Sequence, residues 1–540
     1  MQSLSNRLQT QPDASTATAL LQLQAQVDGD PSPAPSSDLD GMSLGGLKRK
    51  RCRGDFEVCA LGGEVGRDVV ERGLVTGEEA ALYFGTFFQG CDKYVPVFDP
   101  SYDTFDSIRR RSSMLFDTII TIGCRAENGA VSSQYQALSN TTKSPIAEVL
   151  LGTTLPSIET IQALLINACY SEKGWMLTSM AVRMALDLEL PDAYTQLCEI
   201  MLQGSDNVER ERDLFRKARV WFGTFVLEHI LSLDCGKRPG VRADGVAMRR
   251  CRVLLGSSAR TTLDFRLLAQ VEVCELLSSG DAGADVLLAL AHDRLSPRVG
   301  VALSDRELGE IVQGTRIDLS IWLSDWITLV ETAGATEEEK ASLVVNLKIQ
   351  RDWSEMTMLC KGLQGIGIDN VAIMSEEQRN LIRLAKISAQ RHMSTIMSNT
   401  GLYLGGFRYG MDFVWAKCAF SVLLLLKLTR LLPESSNMPQ LIADSKVLLA
   451  ELSKVRGLNN IYFRILSLSV EKCERALKED LAQAANPQNS GTQLNFPDAE
   501  MEFQSYVPKE FILEWSFPGL TFCWIPFDFQ DLLMDFGSGL

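Results

Sequence analysis

An all-α fold is predicted, a large irregular helical domain, and three observations predict it. Apolar residues recur three and four positions apart over long stretches. Helix-starting Ser and Thr residues stand ahead of those stretches, and Gly or Pro stands after them. Strand-type alternation is scarce, and no internal repeat is found. With 540 residues, 46% of them hydrophobic, the chain has enough apolar surface for a sizeable core.

The order along the chain is as follows. Residues 1–46, rich in Ser, Gln, Pro, Asp and Gly, read as a disordered linker-like segment, and 47–59 as a basic segment. A helical body is expected over 76–483, a linker over 484–510, and an acidic-aromatic tail over 511–540. Within the body, Thr76 is an N-cap, and Glu79 three positions later completes a capping box. Ala80, Phe84, Phe87 and Phe88 then share one face, and the helix should stop before Pro96.

A helical hairpin is expected over Leu155–Leu190. Ser157 caps its first helix, Gly174 breaks the pattern, and Leu177, Met180, Met184 and Leu188 form the stripe of the second, which Pro191 ends. A third helix runs from the charged "NVERERD" into Val220–Leu233, apolar nearly all round, before the turn at Gly236, Pro239 and Gly240. Residues 305–345 and 376–480 read as long helices, the second capped by Ser375. The run Phe413–Leu432 is broken by Lys417, Lys427 and Arg430, so it reads as a buried helix and not as a membrane span.

Composition restricts function. A net charge of −15 gives no overall basic field for nucleic acid. The 13 cysteines are scattered singly, mostly in apolar runs, the pattern of reduced, buried thiols of an intracellular protein. No phosphate-binding Gly-x4-Gly-Lys loop, Gly-x-Ser-x-Gly elbow or His-Glu-x-x-His occurs. The Gly-rich "LGGEVG" and "GLYLGGFRYG" read as connections between helices. His229, His292 and His392 stand near no cysteine pair and read as satisfied or surface residues, and Glu337–Glu339 as solvated charge. No catalytic residue and no cofactor is assigned, and the expectation is that the chain is not an enzyme.

Lys48, Arg49, Lys50, Arg51 and Arg53 form the densest basic run. Cys52 and Cys59 lie in and behind it, but two thiols cannot close a tetrahedral zinc site, so no metal ligand is assigned. The run reads as a nuclear import signal. At the other end, residues 494–540 hold eight acidic residues against the single Lys509, and eleven aromatics. Acid keeps apolar side chains solvated and available, so Phe527, Phe529, Leu532, Leu533 and Phe536 read as an activation segment that folds into a coactivator groove. The alternative is that the tail docks on its own helical body.

The stretch Pro156–Leu164, the run Ala181–Leu190, the acidic Glu209–Glu211, the aromatic Trp221–Leu233 and the turn Gly236–Pro239 follow one another in an order that strongly resembles the middle homology region of fungal zinc binuclear cluster transcription factors. Pro96, Phe98 and Pro100 are similar to the end of that family's opening helix. The resemblance is strong over about 78–245 and compatible, as helices, to about 480. Lys237 is an extra residue in the turn, and the six-cysteine zinc cluster is not present in these residues. The resemblance implies a nuclear regulator of transcription controlling a metabolic or biosynthetic gene set, such as one of secondary metabolism, whose helical middle senses a small molecule, holds the tail or binds a partner. The partners it implies are the transcription machinery or a coactivator, and a homo- or heterodimer with a DNA-binding regulator. The expectation is that DNA is reached only indirectly unless residues ahead of Met1 supply the cluster, and that no membrane is involved. The alternative is a non-DNA-binding co-regulator acting only through such a partner, and a helical enzyme is least favoured.

Overall fold

The computed structural model describes residues 67–171, 174–203, 207–234, 239–241, 248, 250–278, 305–363, 374–431, 438–454 and helical residues between 463 and 478. Among the described residues there is no strand, and all belong to one unit, 64–540. The all-α fold class predicted from the sequence holds.

The packed chain begins before Thr76. Asp68 caps a turn through the Val70 and Glu71 N–H groups, both at 2.9 Å, and pairs with Arg109 at 2.6 Å. Helix α1, Gly77–Thr86, carries the expected Thr76–Glu79 capping box, with both reciprocal bonds present. It continues as a π-turn, Phe87–Cys91, and the chain is out of helix before Pro96. Ala80 and Phe87 are buried and Phe84 and Phe88 half-buried, packing edge-on with Phe98 and Phe105.

Helices α2 (Phe105–Arg111), α3 (Ser113–Asn128) and α4 (Ser133–Leu150) follow. The sequence reading did not delimit them. Helix α3 crosses α1 so closely that a Cβ on Gly123 would run into the Tyr83 backbone carbonyl. Helix α5, Ile158–Cys169, has Ser157 as its cap, accepting from the Thr160 N–H at 3.1 Å. Its partner α6, Gly174–Asp187, starts at Gly174, where a Cβ would strike the Ala168 carbonyl.

Two expectations for this hairpin are corrected. The buried stripe of α6 is Thr178, Ala181, Val182, Met184 and Ala185; Leu177, Met180 and Leu188 are only partly buried. Small residues face inward because α6 lies against both α5 and the long helix behind it. Pro191 does not end a helix: α6 stops at Asp187, Glu189 turns the chain with φ 55°, and Pro191 sits in the first turn of a further helix, α7, Leu190–Gln203. There its missing N–H would have had no helical partner in any case.

Helix α8, Val208–Asp234, is the expected long helix, and α5, α6 and α7 all pack on it. A 3₁₀ turn, Cys251–Gly256, leads to α9, Thr262–Ser278. The expected helix over 305–345 is two: α10, Asp305–Glu331, and α11, Glu337–Leu363. The break falls where Gly334 precedes Thr336, whose backbone and side chain both bond to the Glu339 carboxylate at 2.9 Å. Glu337–Glu339 is therefore the acidic first turn of α11.

The expected helix over 376–480 is likewise divided: α12 (Glu376–Ser398), a short turn Thr400–Tyr403 running into the 3₁₀ turn Leu404–Tyr409, α13 (Asp412–Leu431), and α14 (Met438–Lys454). Ser375 caps α12 with a full capping box through Gln378. Among the described residues of α13, most are buried, as expected of the Phe413–Leu432 run, and no helix among the described residues is long and apolar enough to cross a membrane. Helices α10, α11 and α12 pack in series, and α12 packs on α13.

The early and late helices share one core. Helix α9, which packs on α8 and on α10 and α11, and the Gly-rich 401–410 stretch both join them. Tyr409 packs against Gly90, where any side chain would collide with its ring, and its carbonyl accepts from the Tyr170 hydroxyl at 2.7 Å. The Arg125 guanidinium lies 4.9 Å over Tyr170 and 5.4 Å over Trp415.

Candidate functional site

The residues singled out at the two ends of the sequence, Lys48, Arg49, Lys50, Arg51 and Arg53, and Phe527, Phe529, Leu532, Leu533 and Phe536, lie outside the described residues, as do Cys52, Cys59, His292 and "LGGEVG". The structure does bring together the motif residues of the helical body. Gln162 and Gly223 meet the loop 92–104 between the π-turn and α2, and Glu159 is tied to it through Arg111.

Gln162 of α5 is fully buried and donates to the Val97 carbonyl at 2.9 Å. Gly223 of α8 lets that loop lie directly on the helix, since a Cβ would meet the Val97 side chain. The loop holds its own shape: the Asp103 carboxylate accepts from the Asp99 N–H at 2.8 Å, and Asp99 accepts from the Ser101 N–H at 2.9 Å. Arg111 of α2 pairs with Asp103 at 2.6 Å and also with Glu159 of α5. Burial still pushes the Asp103 carboxyl up, against the Arg111 charge. The Tyr102 ring is held between two guanidiniums, Arg111 at 4.1 Å and Arg216 at 4.0 Å.

Arg219 of α8 sits beneath this loop with 2% of its side chain exposed. It grips Asp264 of α9 with two bonds, 2.7 and 2.8 Å, and donates to the Ala259 carbonyl at 3.1 Å. Burial works against its charge, but Asp264, Asp99 and Asp103 outweigh that and raise the guanidinium. A planar fork meeting a carboxylate in this way fixes the angle between two helices as well as their contact.

Nearly two turns from the end of α8, Glu228 is 1% exposed and accepts from the Gly240 N–H at 2.6 Å and the Ser232 hydroxyl at 3.2 Å. Burial pushes its carboxyl up, opposed by the Gly240 and Val241 backbone. Thus the Pro239–Gly240 turn is clamped to the helix it follows.

The chemistry on offer is structural. The Cys91, Cys274 and Cys418 thiols are pushed up to about 12 by burial, which makes them poor nucleophiles. His229 bonds the Phe225 carbonyl at 2.9 Å and burial pushes it down to about 4; His392 bonds the Ser421 hydroxyl at 3.0 Å. Both read from the sequence as satisfied or surface residues; both are buried, and the Nε2 of His392 is left without a hydrogen-bond partner. Among the described residues no group of His, Cys, Asp and Glu could hold a metal ion. Sequence reasoning missed Arg219 and Asp264, which stand 45 positions apart; the signal in reach was an arginine inside an otherwise apolar helical run.

Residues 85–246 match the family model of the fungal specific transcription factor domain. The resemblance read from the sequence is therefore shown, and the converging residues just described, except Ala259 and Asp264, fall inside that match. A stretch of 236 residues is 26% identical to the transcriptional activator of proteases prtT of Emericella nidulans, covering 42% of this chain and 33% of that protein. The match thus spans about a third of the length of the curated relative. No solved structure matches the chain.

Proposed function

We propose that this protein is a transcription regulator of fungal type, acting in the nucleus on a metabolic or biosynthetic gene set. The observation that carries the proposal is the match of 85–246 to the fungal specific transcription factor domain, supported by the likeness to a transcriptional activator. In this reading the helical body is the regulatory part, the Lys48–Arg53 run is the import signal, and the acidic-aromatic tail recruits a coactivator. The family and the chemistry of the motif residues both favour a regulator over an enzyme, since those residues fix helices and carry no reacting group.

Transcript profiles of a strain deleted for the gene, before and after restoring it, test the proposal. A coherent set of transcripts that falls on deletion and returns on restoration is expected. Unchanged transcripts under conditions where the protein is present would refute it.

A further inference from the structure

Helices α10 and α12 leave a groove between them that the contacts above do not fill. Their N-terminal turns enclose a cavity of about 90 Å³, with Leu308 and Val312 on one wall and Leu381 and Leu384 on the other. Further along, Arg316 of α10 and Arg391 of α12 both pair with Glu355 of α11, Arg316 at 2.6 Å. The two helices thus run side by side in one direction, with α11 beneath them.

Apolar side chains continue the groove past the cavity. Gln313, Ile317 and Ile321 follow one another four positions apart on α10, and Leu384 and Ile387 are three apart on α12. Ile317, Ile321 and Ile387 are 50%, 55% and 46% exposed. Large apolar residues left half-uncovered in a row beside a cavity mark a surface that another segment covers. Between Leu308 and Ile321 the row is about 20 Å long.

The far end of the groove is basic. Arg316, Arg351 and Arg391 share two carboxylates, Asp352 and Glu355, with Arg351 at 2.8 Å and Arg391 at 3.2 Å from Asp352. Three guanidiniums on two carboxylates leave one positive charge in excess. The carboxylates are 1% and 4% exposed and the guanidinium side chains 26%, 18% and 34%, so the excess faces outward. At the cavity end the sign is opposite, since Glu377 lines the wall there.

Such a groove fits an apolar row about two turns long that carries acid toward one end. The chain's own tail has that pattern. Phe529, Leu532, Leu533 and Phe536 recur at three and four positions, about 10 Å along a helix, and Asp528, Asp531 and Asp535 stand among them. Phe529 comes about 50 positions after Lys478, the last described residue, and each position adds up to ~3.3 Å of reach. A tethered segment is held at high effective concentration, so a modest contact is enough.

We infer that the groove between α10 and α12 is the docking site of this chain's own acidic-aromatic tail, with its apolar row on Ile317, Ile321 and Ile387 and its aspartates toward Arg316 and Arg391. The side chains that dock are those assigned to a coactivator, so the two occupants exclude each other. That consequence rests on the proposed function, whereas docking is measured on the purified chain without reference to transcription.

Fluorescence anisotropy of a labelled peptide of residues 524–540, added to the full chain, tests it. A chain with Phe529, Leu532, Leu533 and Phe536 changed to Ala leaves the groove open and should bind the peptide saturably. The natural chain should bind it at least about tenfold more weakly, because its own tail competes. In the open chain, Ile317→Asp with Ile321→Asp should abolish binding, and Ile387→Asp on the opposite wall should do the same. Leu82→Asp, at a position of α1 that is 56% exposed, should leave binding unchanged. A peptide with Asp528, Asp531 and Asp535 changed to Asn should bind more weakly. No saturable binding by the open chain, equal affinities of the open and natural chains, binding retained in the isoleucine variants, or an equal loss in Leu82→Asp would each overturn the inference. A natural chain that is dimeric, takes up no peptide and becomes monomeric on Ile317→Asp with Ile321→Asp would assign the groove to a second copy and overturn it as well.

Discussion

Arg219 and Asp264 form a two-bond grip, 2.7 and 2.8 Å, between α8 and α9, with 2% and 3% of their side chains exposed. Removing one partner of such a pair leaves the other charge buried and unpaired, which costs about 3–5 kcal/mol. Arg219→Met should therefore lower the unfolding free energy by about that amount in urea titrations followed by circular dichroism. The double variant Arg219→Met with Asp264→Leu should recover most of the loss. Equal losses in the single and double variants would show that the pair is not the source.

Gly123 and Gly314 should respond oppositely to alanine. At Gly123 the new Cβ meets the Tyr83 backbone carbonyl, so α1 and α3 must separate, at about 1–3 kcal/mol or more. At Gly314, an exposed position inside α10, nothing lies within 4 Å, and alanine gains about 0.5–1 kcal/mol of helix propensity. Paired melting temperatures, lower for Gly123→Ala and higher for Gly314→Ala, check the crossing.

His392 gives a pH test with a definite sign. Burial, and secondarily the Lys417 charge, push it from 6.5 down to about 3, so the unfolded chain takes up a proton first as pH falls. Its contribution to stability is complete above about pH 6.5 and is lost below, by roughly 1.4 kcal/mol at pH 5.5. Asp92, Asp117 and Asp352, pushed up by burial to about 7, 7 and 6, run the other way but are shared with a His392→Asn variant. The stability advantage of the natural protein over that variant should thus shrink between pH 7.5 and 5.5. A constant difference would contradict a histidine held neutral.

The helix starts were legible in the capping residues: Thr76 with Glu79 three positions on, and Ser375 as a cap, acted as read, while Gln378 as partner to Ser375 came from the structure. Ends were harder. Pro191 suits the first turn of a helix as well as the residue after one, and only Glu189, in the left-handed region, decides between them. The face of α6 was misassigned because large apolar residues were taken to point inward, whereas Ala181 and Ala185 do so where α5 and α8 close in. The site was the least legible part. The family motif marked Gln162 and the α8 run, but Val97, Asp103 and Asp264, which give those residues their role, are set by contacts between distant segments.

The basic run should act in import. Changing Lys48, Arg49, Lys50 and Arg51 to Ala removes the charge a carrier would recognise. A fluorescent fusion of this variant should leave the nucleus, and unchanged nuclear fluorescence would assign import elsewhere.

Transcription driven by the chain itself is the most direct test of a regulator. The full chain fused to a foreign DNA-binding domain should raise transcription of a matched reporter. Changing Phe529, Leu532, Leu533 and Phe536 together to Ala should abolish the rise, because burying each such side chain in a partner groove is worth roughly 1.5–3 kcal/mol. Asp528, Asp531 and Asp535 changed to Asn should only weaken it, since exposed charges mainly steer and solvate. A reporter that stays at its basal level with the intact fusion present and bound would contradict the account.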